Sequence, residues 1–538
     1  MVEFRNASNK DFLVVKFGGT SVGKFADKIC REIIPSLLAE NRVIVVCSAI
    51  STNVKAKGTT SLLLQAAESV LGGKLDCTVH QKITQEIREI HLEAGETYIK
   101  SKDILEDYKQ AVISVCARLE KVLTAAQVID EVTHRTKDII IGTGEQLSCI
   151  FVSALLKDAK VYSQLVDLER VIQKKFDKNK LDQEFYDYLS EEFKKRIEAC
   201  GDAVPVVTGY FGRVPGSILK SIGRGYTDLT AALVAAGIRA KELQIWKEVD
   251  GIFTADPRKV EGARLLKIIT PEEAAELTYY GSEVIHPFTM EQVVRALIPI
   301  RIKNVQNPAG EGTVVLPELL SSRTNSSASL AVRMDALNSE RSSPKILLEN
   351  GYHLDLTRRH PTAVTVKNDI IILNIRSNRK AVSYDFFEQI FSTLNKFSVV
   401  VDLIATSEVH VSMAISSSAV QGKTLSMITD ELGNYGEVDV IKDMAILSLV
   451  GKQMRNTVGI SGKMFTTLAK AGVNIEMISQ GASEINISCV ISNKNATTAM
   501  CAIHESLLRN TGTSLIDDPD VIKEFGYFNS RLQISDSD

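Results

Sequence analysis

The stretch VVKFGGTSVGKF, from Val14 to Phe25, runs from an apolar β-branched segment straight into a glycine loop. Gly18, Gly23 and Lys24 reproduce most of the P-loop pattern, in which backbone N–H groups and a lysine hold nucleotide phosphates. The next position of that pattern is Ser or Thr, whose hydroxyl binds Mg²⁺, whereas this chain has Phe25. The stretch is therefore a damaged P-loop, a different phosphate loop or an ordinary strand-to-helix turn.

Lys16 favours the second of these interpretations, because a lysine inside a buried strand is costly without an anionic partner. Its ammonium can face the phosphates while the backbone of Gly18 and Gly19 opposes them. Phosphoryl transfer requires such fixed cations and N–H donors, and it requires little covalent chemistry. We therefore interpret the stretch as a phosphate loop that is served by Lys16.

Composition restricts the class of protein. The chain has 538 residues, of which 44% are apolar and 24% charged, with a net charge of −3. This length favours two to four domains, and this balance gives no electrostatic case for nucleic acid or an anionic membrane. No apolar run approaches the roughly 18 residues that span a bilayer, and the start lacks the apolar segment of a signal peptide. We therefore expect a cytoplasmic protein.

The cysteines give no sign of a metal site or a disulfide framework. The eight are scattered along the chain, without a C-x-x-C pair or clustered histidines. Reduced thiols are the simplest interpretation, and no metal ligand is assigned to a protein side chain.

Residues from Phe12 to about Val315 alternate apolar β-branched runs with longer helical patterns. Runs that are apolar on both faces predict an α/β fold with a largely parallel sheet and helices on both of its faces. The predicted strands are 13–17, 42–49, 138–144, 203–211, 243–249 and 298–304, and the predicted helices include 61–72, 105–127, 144–157 and 227–237. A serine-rich stretch at 321–345 is either a linker or an ordered polar connector.

The C-terminal third contains an internal repeat. Three blocks recur in one order: DIIILNI (369–375) as DMAILSL (443–449), FSTLNK (391–396) as FTTLAK (465–470), and SEVHVS (407–412) as SEINIS (483–488). Each copy has the pattern strand, helix, strand, strand, helix, which predicts the βαββαβ plan of ferredoxin-like domains. Neither copy has a convergent set of titratable residues, so we expect the copies to bind a small effector or each other.

Six motifs follow one another along the chain: KFGGTSV (16–22), GTGEQLS (142–148), GRGYTDLTAAL (223–233), WKEVDGIFTADPR (246–258), GSEVIHP (281–287) and NPAGEGT (307–313). They resemble the motifs of aspartate kinases, in the amino-acid kinase superfamily, most closely those of fungal monofunctional members. The paired repeats resemble the two ACT domains of that family. The resemblance implies a catalytic domain at 1–318, a linker at 319–360, ACT domains at 361–442 and 443–515, and a tail at 516–538.

The resemblance implies that ATP, with Mg²⁺, phosphorylates the side-chain carboxylate of L-aspartate to give 4-phospho-L-aspartate. This reaction is the first step towards threonine, methionine and, in some organisms, lysine. A carboxylate is already an adequate nucleophile, so positioning and charge neutralisation should suffice without a general base. The resemblance also implies feedback inhibition by L-threonine and a homo-oligomer formed through the ACT domains.

Two other functions stay open. One is a catalytically inactive amino-acid sensor that keeps the fold. The other is a kinase of a related amino acid such as glutamate, because one methylene group is worth only about 1–3 kcal/mol of discrimination.

The family's roles transfer to matching residues. Lys16 would stabilise charge on the transferring phosphoryl group, and Asp228 would orient Lys16. Glu145 would receive the α-amino group of the substrate, and Arg224 would grip a substrate carboxylate, as its planar fork allows. Without the motifs, Glu145 would be interpreted as a glutamate in the first turn of a helix, and Asp228 as the N-cap of a helix. The implied substrate residues are Ser48, Thr60, Glu145 and Arg224.

The nucleotide and effector sites are implied in the same way. Phe253 would contact the base and Arg258 a phosphate, whereas Glu283 stands where many bacterial members have a phosphate-binding lysine. In the first ACT copy, Ser383 at a helix start and Asp402, which would receive an ammonium, are the implied threonine residues. The implied nucleotide residues are Lys16, Gly18, Gly19, Thr20, Lys247, Phe253 and Arg258.

Overall fold

The computed structural model describes most of the chain. The described residues are 4–51, 58–71, 78–177, 181–212, 214–223, 225–279, 287–316, 361–377, 384–407, 410–420, 422–452, 454, 457–481 and 485–509. The predicted linker, the predicted tail, Arg224, Glu283 and Ser383 lie outside them.

The chain divides into two compact units. The first unit comprises Met1–Ile252, Lys267–Pro271 and Val284–Ser321, and the second comprises Phe253–Leu266, Glu272–Glu283 and Ser322–Asp538. Two short segments from the predicted catalytic domain therefore cluster with the C-terminal repeats. The domain boundaries implied by the resemblance stay predictions.

The first unit is built on an eight-stranded sheet with the order β3-β4-β2-β1-β5-β7-β8-β6. Its strands are β1 (Phe12–Phe17), β2 (Arg42–Cys47), β3 (Ser163–Val166), β4 (Val204–Thr208), β5 (Glu242–Lys247), β6 (Ile268–Ile269), β7 (Ile300–Asn304) and β8 (Thr313–Val315). Neighbours from β3 to β7 are parallel, and β7 pairs antiparallel with β8. The predicted largely parallel sheet is confirmed.

Helices cover this sheet on both faces. In the first unit they are α1 (Gly19–Lys28), α2 (Ile34–Leu38), α3 (Thr59–Ser69), α4 (Val79–Tyr98), α5 (Lys102–Ile129), α6 (His134–Asp158), α7 (Gln183–Glu198), α8 (Ile218–Ser221), α9 (Tyr226–Gly237) and α11 (Pro287–Arg295), whereas α10 (Pro271–Tyr279) belongs to the second unit except for Pro271. Val15 and Phe17 of β1 share a core with α6, whereas Lys16, on the opposite face of that strand, meets α9. Alternate residues of β1 therefore serve the two faces.

The predicted strand at 138–144 is wrong, because these residues form the first half of α6. Thr133 caps this helix by accepting a hydrogen bond from Thr136 N at 3.0 Å. The helix is buried on almost every side, so its apolar run lacks the 3.6-residue period that identifies a surface helix. By length and composition α6 could also cross a membrane, but 78% of its most apolar window is buried within the protein, as in a core helix.

The second unit contains a six-stranded antiparallel sheet with the order β10-β11-β9-β12-β14-β13. Its strands are β9 (Ala363–Ser377), β10 (Val401–Thr406), β11 (His410–Ser416), β12 (Gly436–Val450), β13 (Met477–Ser479) and β14 (Asn486–Ser492). Besides α10, the helices of this unit are α12 (Tyr384–Lys396), α13 (Thr424–Leu432), α14 (Ile460–Lys470) and α15 (Ala496–Ile503). The predicted pair of ferredoxin-like copies is confirmed.

The two copies share their long strands β9 and β12, which pair along most of their lengths. Gly436 at the start of β12 pairs with Ser377 at the end of β9, and Val450 pairs with Ala363 at the opposite ends. Asp369 and Asp443, which are equivalent in the sequence repeat, have positive φ angles of 58° and 57°. The repeat therefore extends to an unusual backbone conformation.

Candidate active site

The carboxyl ends of the parallel strands form one edge of the first unit's sheet, which is where open α/β sheets bind ligands. Lys16 lies near that end of β1, the strand between β2 and β5. Ser48 follows β2, and its N–H donates to Phe17 O at 3.2 Å, which holds Ser48 beside the end of β1. Lys247 is the last residue of β5. The structure thus brings these three predicted site residues to one edge.

Lys16 and Asp228 form a mostly buried ion pair. The Nζ of Lys16 lies 2.6 Å from Oδ1 of Asp228, and the two side chains are 10% and 14% exposed. Asp228 belongs to the first turn of α9, which packs on the face of β1 that presents Lys16. A buried ammonium without a partner would be costly, because its charge is removed from water. The carboxylate of Asp228 therefore holds the ammonium of Lys16 in place. A lysine ammonium has three N–H donors, so this arrangement leaves Lys16 able to bind a phosphate as well.

The glycine stretch is the start of a helix, and it leaves N–H groups at that end. The first intrahelical bond runs from Val22 N to Gly18 O at 3.0 Å. The N–H groups of Gly19 and Thr20 therefore have no acceptor inside the helix, and such groups at a helix N-terminus bind anions.

The two glycines of this turn differ in what surrounds them. A Cβ at Gly19 would lie 2.0 Å from Ala49 O, so packing alone requires glycine there. A Cβ at Gly18 would meet no described atom within 4 Å. Packing by the described residues therefore does not explain Gly18, whereas the predicted close approach of a phosphate would.

Lys24, the lysine of the P-loop pattern, has a different partner. It lies inside α1, and its Nζ is 3.2 Å from Oε2 of Glu248, the residue after β5. A carboxylate therefore holds the charge that a P-loop lysine would offer to phosphate. The damaged P-loop is excluded as an interpretation, and Lys16 is the cation at the strand end.

Glu145 is a fully enclosed carboxylate on α6. It is 2% exposed, and its Oε1 accepts a hydrogen bond from Thr227 Oγ1 at 2.5 Å. Burial raises the pKa of Glu145 to about 7, although the hydrogen bond from Thr227 and the charge of Lys16 act in the opposite direction. The N–H of Tyr210 and the hydroxyl of Tyr226 also lower the pKa of this carboxylate, although within the described residues Oε2 has no hydrogen-bond partner of ordinary geometry. A buried carboxylate in this condition favours a cationic partner such as an ammonium group.

Two residues that the sequence analysis missed shape this pocket. Thr227 binds Glu145 directly, and Gly209, just after β4, lies against both. A Cβ at Gly209 would be 2.5 Å from Cγ2 of Thr227 and 2.8 Å from Oε2 of Glu145. Thr230 Oγ1 donates to Gly209 O at 2.5 Å, which fixes that backbone on α9. The position of Gly209 at the carboxyl end of a predicted strand was the available signal.

Thr60 lies in the first turn of α3 and is partly exposed, whereas its neighbour Thr59 is buried. A Cβ at Gly144 would be 3.2 Å from Cγ2 of Thr59. The methyl group of Thr59 therefore lies close to Gly144 of α6, the residue that precedes Glu145. The predicted substrate role of Thr60 stays a prediction.

Phe253 and Arg258 belong to the second unit. Phe253 forms an isolated bridge with Leu265. Arg258 is 87% exposed on its side chain and donates to both carboxylate oxygens of Asp256, at 3.0 Å each. This guanidinium lowers the pKa of Asp256. The predicted contacts of Phe253 and Arg258 with nucleotide stay predictions.

Asp402 has a cationic neighbour within its own sheet. Its Oδ1 accepts a hydrogen bond from Lys367 Nζ of β9 at 2.7 Å, and its side chain is 5% exposed. The register between β10 and β11 shifts between Val401 and Leu403, so Asp402 lies at a bulge. Asp402 is therefore a buried, paired carboxylate, and its role toward threonine stays a prediction.

Among the described residues, no three His, Cys, Asp or Glu side chains form a group that could hold a metal ion.

The chain matches two known families of domains. The amino acid kinase family matches residues 11–304, and an ACT domain matches residues 447–507. The chain is 49% identical over 503 residues to the aspartokinase of Schizosaccharomyces pombe, covering 94% of each protein. It is 46% identical over 518 residues to the aspartokinase of Saccharomyces cerevisiae, covering 94% of this chain and 95% of that protein.

Solved structures agree on the fold. Escherichia coli aspartokinase III in complex with aspartate and ADP, in the R-state, has a TM-score of 0.65 and 24% identity, covering 92% of this chain and 100% of that one. The same enzyme in complex with lysine and aspartate, in the T-state, has a TM-score of 0.70 and 24% identity, covering 92% and 99%. The chain therefore belongs to the amino acid kinase family and, within that family, to the aspartokinases.

Proposed function

We propose that the protein transfers the γ-phosphoryl group of ATP to the side-chain carboxylate of L-aspartate, giving 4-phospho-L-aspartate and ADP. The observation that carries this proposal is the buried Lys16, held 2.6 Å from Asp228 beside the N-terminus of α1. The fungal relatives are named aspartokinases, and the Escherichia coli enzyme was solved with aspartate and ADP. These names support the choice of substrate.

On the phosphate side, Lys16 and the N–H groups at the start of α1 oppose the negative charge of the transferring group. Mg²⁺ bound with ATP supplies further charge neutralisation. Gly18 leaves the space that a phosphate needs beside the helix end.

On the amino-acid side, Glu145 receives the α-ammonium group of aspartate. Its carboxylate is preorganised by Thr227 and enclosed by Gly209, so little reorganisation accompanies binding. The family resemblance assigns Arg224 to a substrate carboxylate. The side-chain carboxylate of aspartate is itself the nucleophile, so the pocket needs to orient it and not to deprotonate it.

The experiment is to trap the acyl phosphate. The protein is incubated with MgATP, hydroxylamine and either L-aspartate or L-glutamate, and the hydroxamate and ADP are measured. We expect hydroxamate and ADP in equal amounts with aspartate and little of either with glutamate. Preference for glutamate would identify the alternative kinase. A folded protein that binds aspartate without releasing ADP would be the inactive sensor.

We also propose that L-threonine inhibits the enzyme through the second unit, that the protein forms a homo-oligomer through this unit, and that it acts in the cytoplasm at the start of threonine and methionine synthesis. The paired ACT-like copies and the buried Asp402 support the regulatory part. A threonine titration of ADP release, with size-exclusion chromatography in parallel, tests inhibition and assembly. Full activity at saturating threonine would remove threonine as the inhibitor.

A further inference from the structure

A second buried carboxylate lies on α6, and the proposed reaction gives it no role. Asp138 is 3% exposed and precedes Glu145 by seven residues on the same helix. At a rise of about 1.5 Å per residue, two turns and about 10 Å separate the two positions. Both side chains therefore project from related faces of one rigid element.

Asp138 holds the backbone of a distant loop. Ser217 Oγ donates to its Oδ1, and Ile218 N donates to its Oδ2, both at 2.8 Å. Ile218 is the first residue of α8, so a carboxylate from another helix satisfies an N–H group that has no acceptor within α8. Burial raises the pKa of Asp138, while the bonds from Ile218 and Ser217 oppose that shift.

The loop in question runs from Gly209 to Gly225 and connects β4 with α9. Its backbone is unusual at the point that Asp138 holds: Gly216 has a φ of 86° and Ser217 a φ of 138°. A non-glycine residue in that region is strained and stays there only when its surroundings fix it. The two bonds from Asp138 provide such fixation.

The far end of the same loop returns to α6. It leads into α9, where Thr227 donates to Glu145. Tyr226, the first residue of α9, is buried; burial raises the pKa of its hydroxyl, and the charges of Glu145 and Asp138 raise it further. One helix therefore holds this loop near its middle through Asp138 and at its end through Glu145.

We propose that Asp138 is a positioning residue for the aspartate site: by binding Ser217 and Ile218, it fixes the path of the loop into α9 and so keeps Thr227 against Glu145. The inference rests on the proposed role of Glu145 toward the substrate. It goes beyond that role because Asp138 does not contact the substrate. Lys16 itself lies on the central strand β1, but its partner Asp228 follows Thr227 on α9, so a displaced start of α9 also disturbs the ion pair of Lys16.

The first test compares substitutions at the two ends of α6. Asp138→Asn keeps the shape but presents an NH₂ group to a donor, and losing a charge-assisted bond of this kind corresponds to a rise of about tenfold in KM for aspartate. KM for MgATP should rise less than KM for aspartate, because the backbone of Lys16 stays on the central strand β1. The matched control is Asp158→Asn: Asp158 is 5% exposed on its side chain and accepts from Ser101 N at 2.8 Å, at the opposite end of the helix. We expect this control to lose thermal stability and to keep both KM values.

The second test is hydrogen exchange, which does not depend on the reaction. Peptides covering 214–223 should exchange faster in Asp138→Asn and not in Asp158→Asn. Ser217→Ala removes a single bond, so it should show the same changes to a smaller extent, and it replaces Asp138→Asn if that variant does not fold. Unchanged exchange in this segment would overturn the proposal, and so would faster exchange with an unchanged KM for aspartate. If wild type does not phosphorylate aspartate, the proposed function fails, whereas the exchange data still decide whether Asp138 holds the loop.

Discussion

At the scale of single residues, burial turns ordinary side chains into binding groups. Glu145 has a pKa of about 7 because it is enclosed, and the ammonium group of a ligand would favour its ionised form. Binding of aspartate should therefore release a proton near neutral pH. The chemistry of Glu145 depends on α6, α9 and the Gly209 turn together.

The first prediction concerns pH. KM for aspartate should fall as the pH rises through about 7, and Glu145→Gln should raise KM and flatten this dependence. Steady-state kinetics across that range measure both effects, with KM for MgATP as the internal control. A flat profile in wild type, or an equal slope in the variant, would contradict the assignment of Glu145 to the ammonium group.

The same shift predicts how stability depends on pH. The pKa of Glu145 is above its ordinary value of 4.5, so the folded protein binds more protons than the unfolded chain between 4.5 and about 7. The contribution of Glu145 to the free energy of unfolding is therefore present at low pH and is lost as the pH rises through this window. Denaturant titrations of wild type and Glu145→Gln at both ends of the window should differ in slope with pH, and equal slopes would count against the shift.

Gly209 gives a second test at this scale. In Gly209→Ala the new methyl group would push Thr227 away from Glu145, so KM for aspartate should rise severalfold. The control is Gly462→Ala, because a Cβ there meets no described atom within 4 Å and alanine is favourable inside a helix. If both variants keep the wild-type KM, Gly209 does not shape the pocket.

At the scale of elements, the sequence predicted β1, the turn at Gly18 and the lysine on the strand, because each has a local signal. It predicted the second half of α6 as the helix 144–157 but took 138–144 for a strand, since a helix buried on nearly every side has the same apolar run as a central strand. It also missed Thr227 and Gly209, whose roles depend on contacts between distant elements. The glycine turn is an example, because Gly18 and Gly19 are neighbours in sequence but only Gly19 packs closely against another segment of the described chain.

This difference gives a prediction at the scale of elements. Gly18→Ala should fold with wild-type stability and raise KM for ATP, because its methyl group would enter space that the described residues leave open. Gly19→Ala should lower the free energy of unfolding by about 1–3 kcal/mol, since its Cβ would overlap Ala49 O. Chemical denaturation and ATP kinetics of the two variants distinguish these effects. Wild-type ATP affinity in Gly18→Ala would contradict the phosphate assignment of this turn.

At the scale of the molecule, the internal repeat predicted two ferredoxin-like copies, and the positive φ angles of Asp369 and Asp443 show how closely the copies correspond. No pattern in the sequence indicated that 253–266 would cluster with the repeats. There, Thr254 Oγ1 and His504 Nε2 lie 2.9 Å apart, and Arg264 donates to Leu508 O at 3.0 Å. These contacts join residues about 250 positions apart, which is beyond any local pattern.

A prediction at this scale concerns regulation by the second unit. Asp402→Asn should raise the threonine concentration needed for inhibition and leave turnover without threonine near the wild-type value, because a ligand inhibits only through its preference for an inactive conformation. The control is Asp430→Asn, at an exposed position of α13. Identical titration curves for wild type and Asp402→Asn would remove Asp402 from the threonine site.

The central claim is that Lys16, and not Lys24, is the cation that serves phosphoryl transfer. The most direct measurement is kcat for ADP release in Lys16→Ala and Lys24→Ala, each at saturating aspartate and MgATP and each shown to be folded. Loss of one fixed cation facing developing charge should lower kcat of Lys16→Ala roughly 10²–10³-fold, by analogy with the loss of a single oxyanion donor. Lys24→Ala, which loses only an ion pair with Glu248, should stay within a few-fold of wild type. Near-normal turnover in Lys16→Ala, or a collapse of turnover in Lys24→Ala alone, would contradict the account.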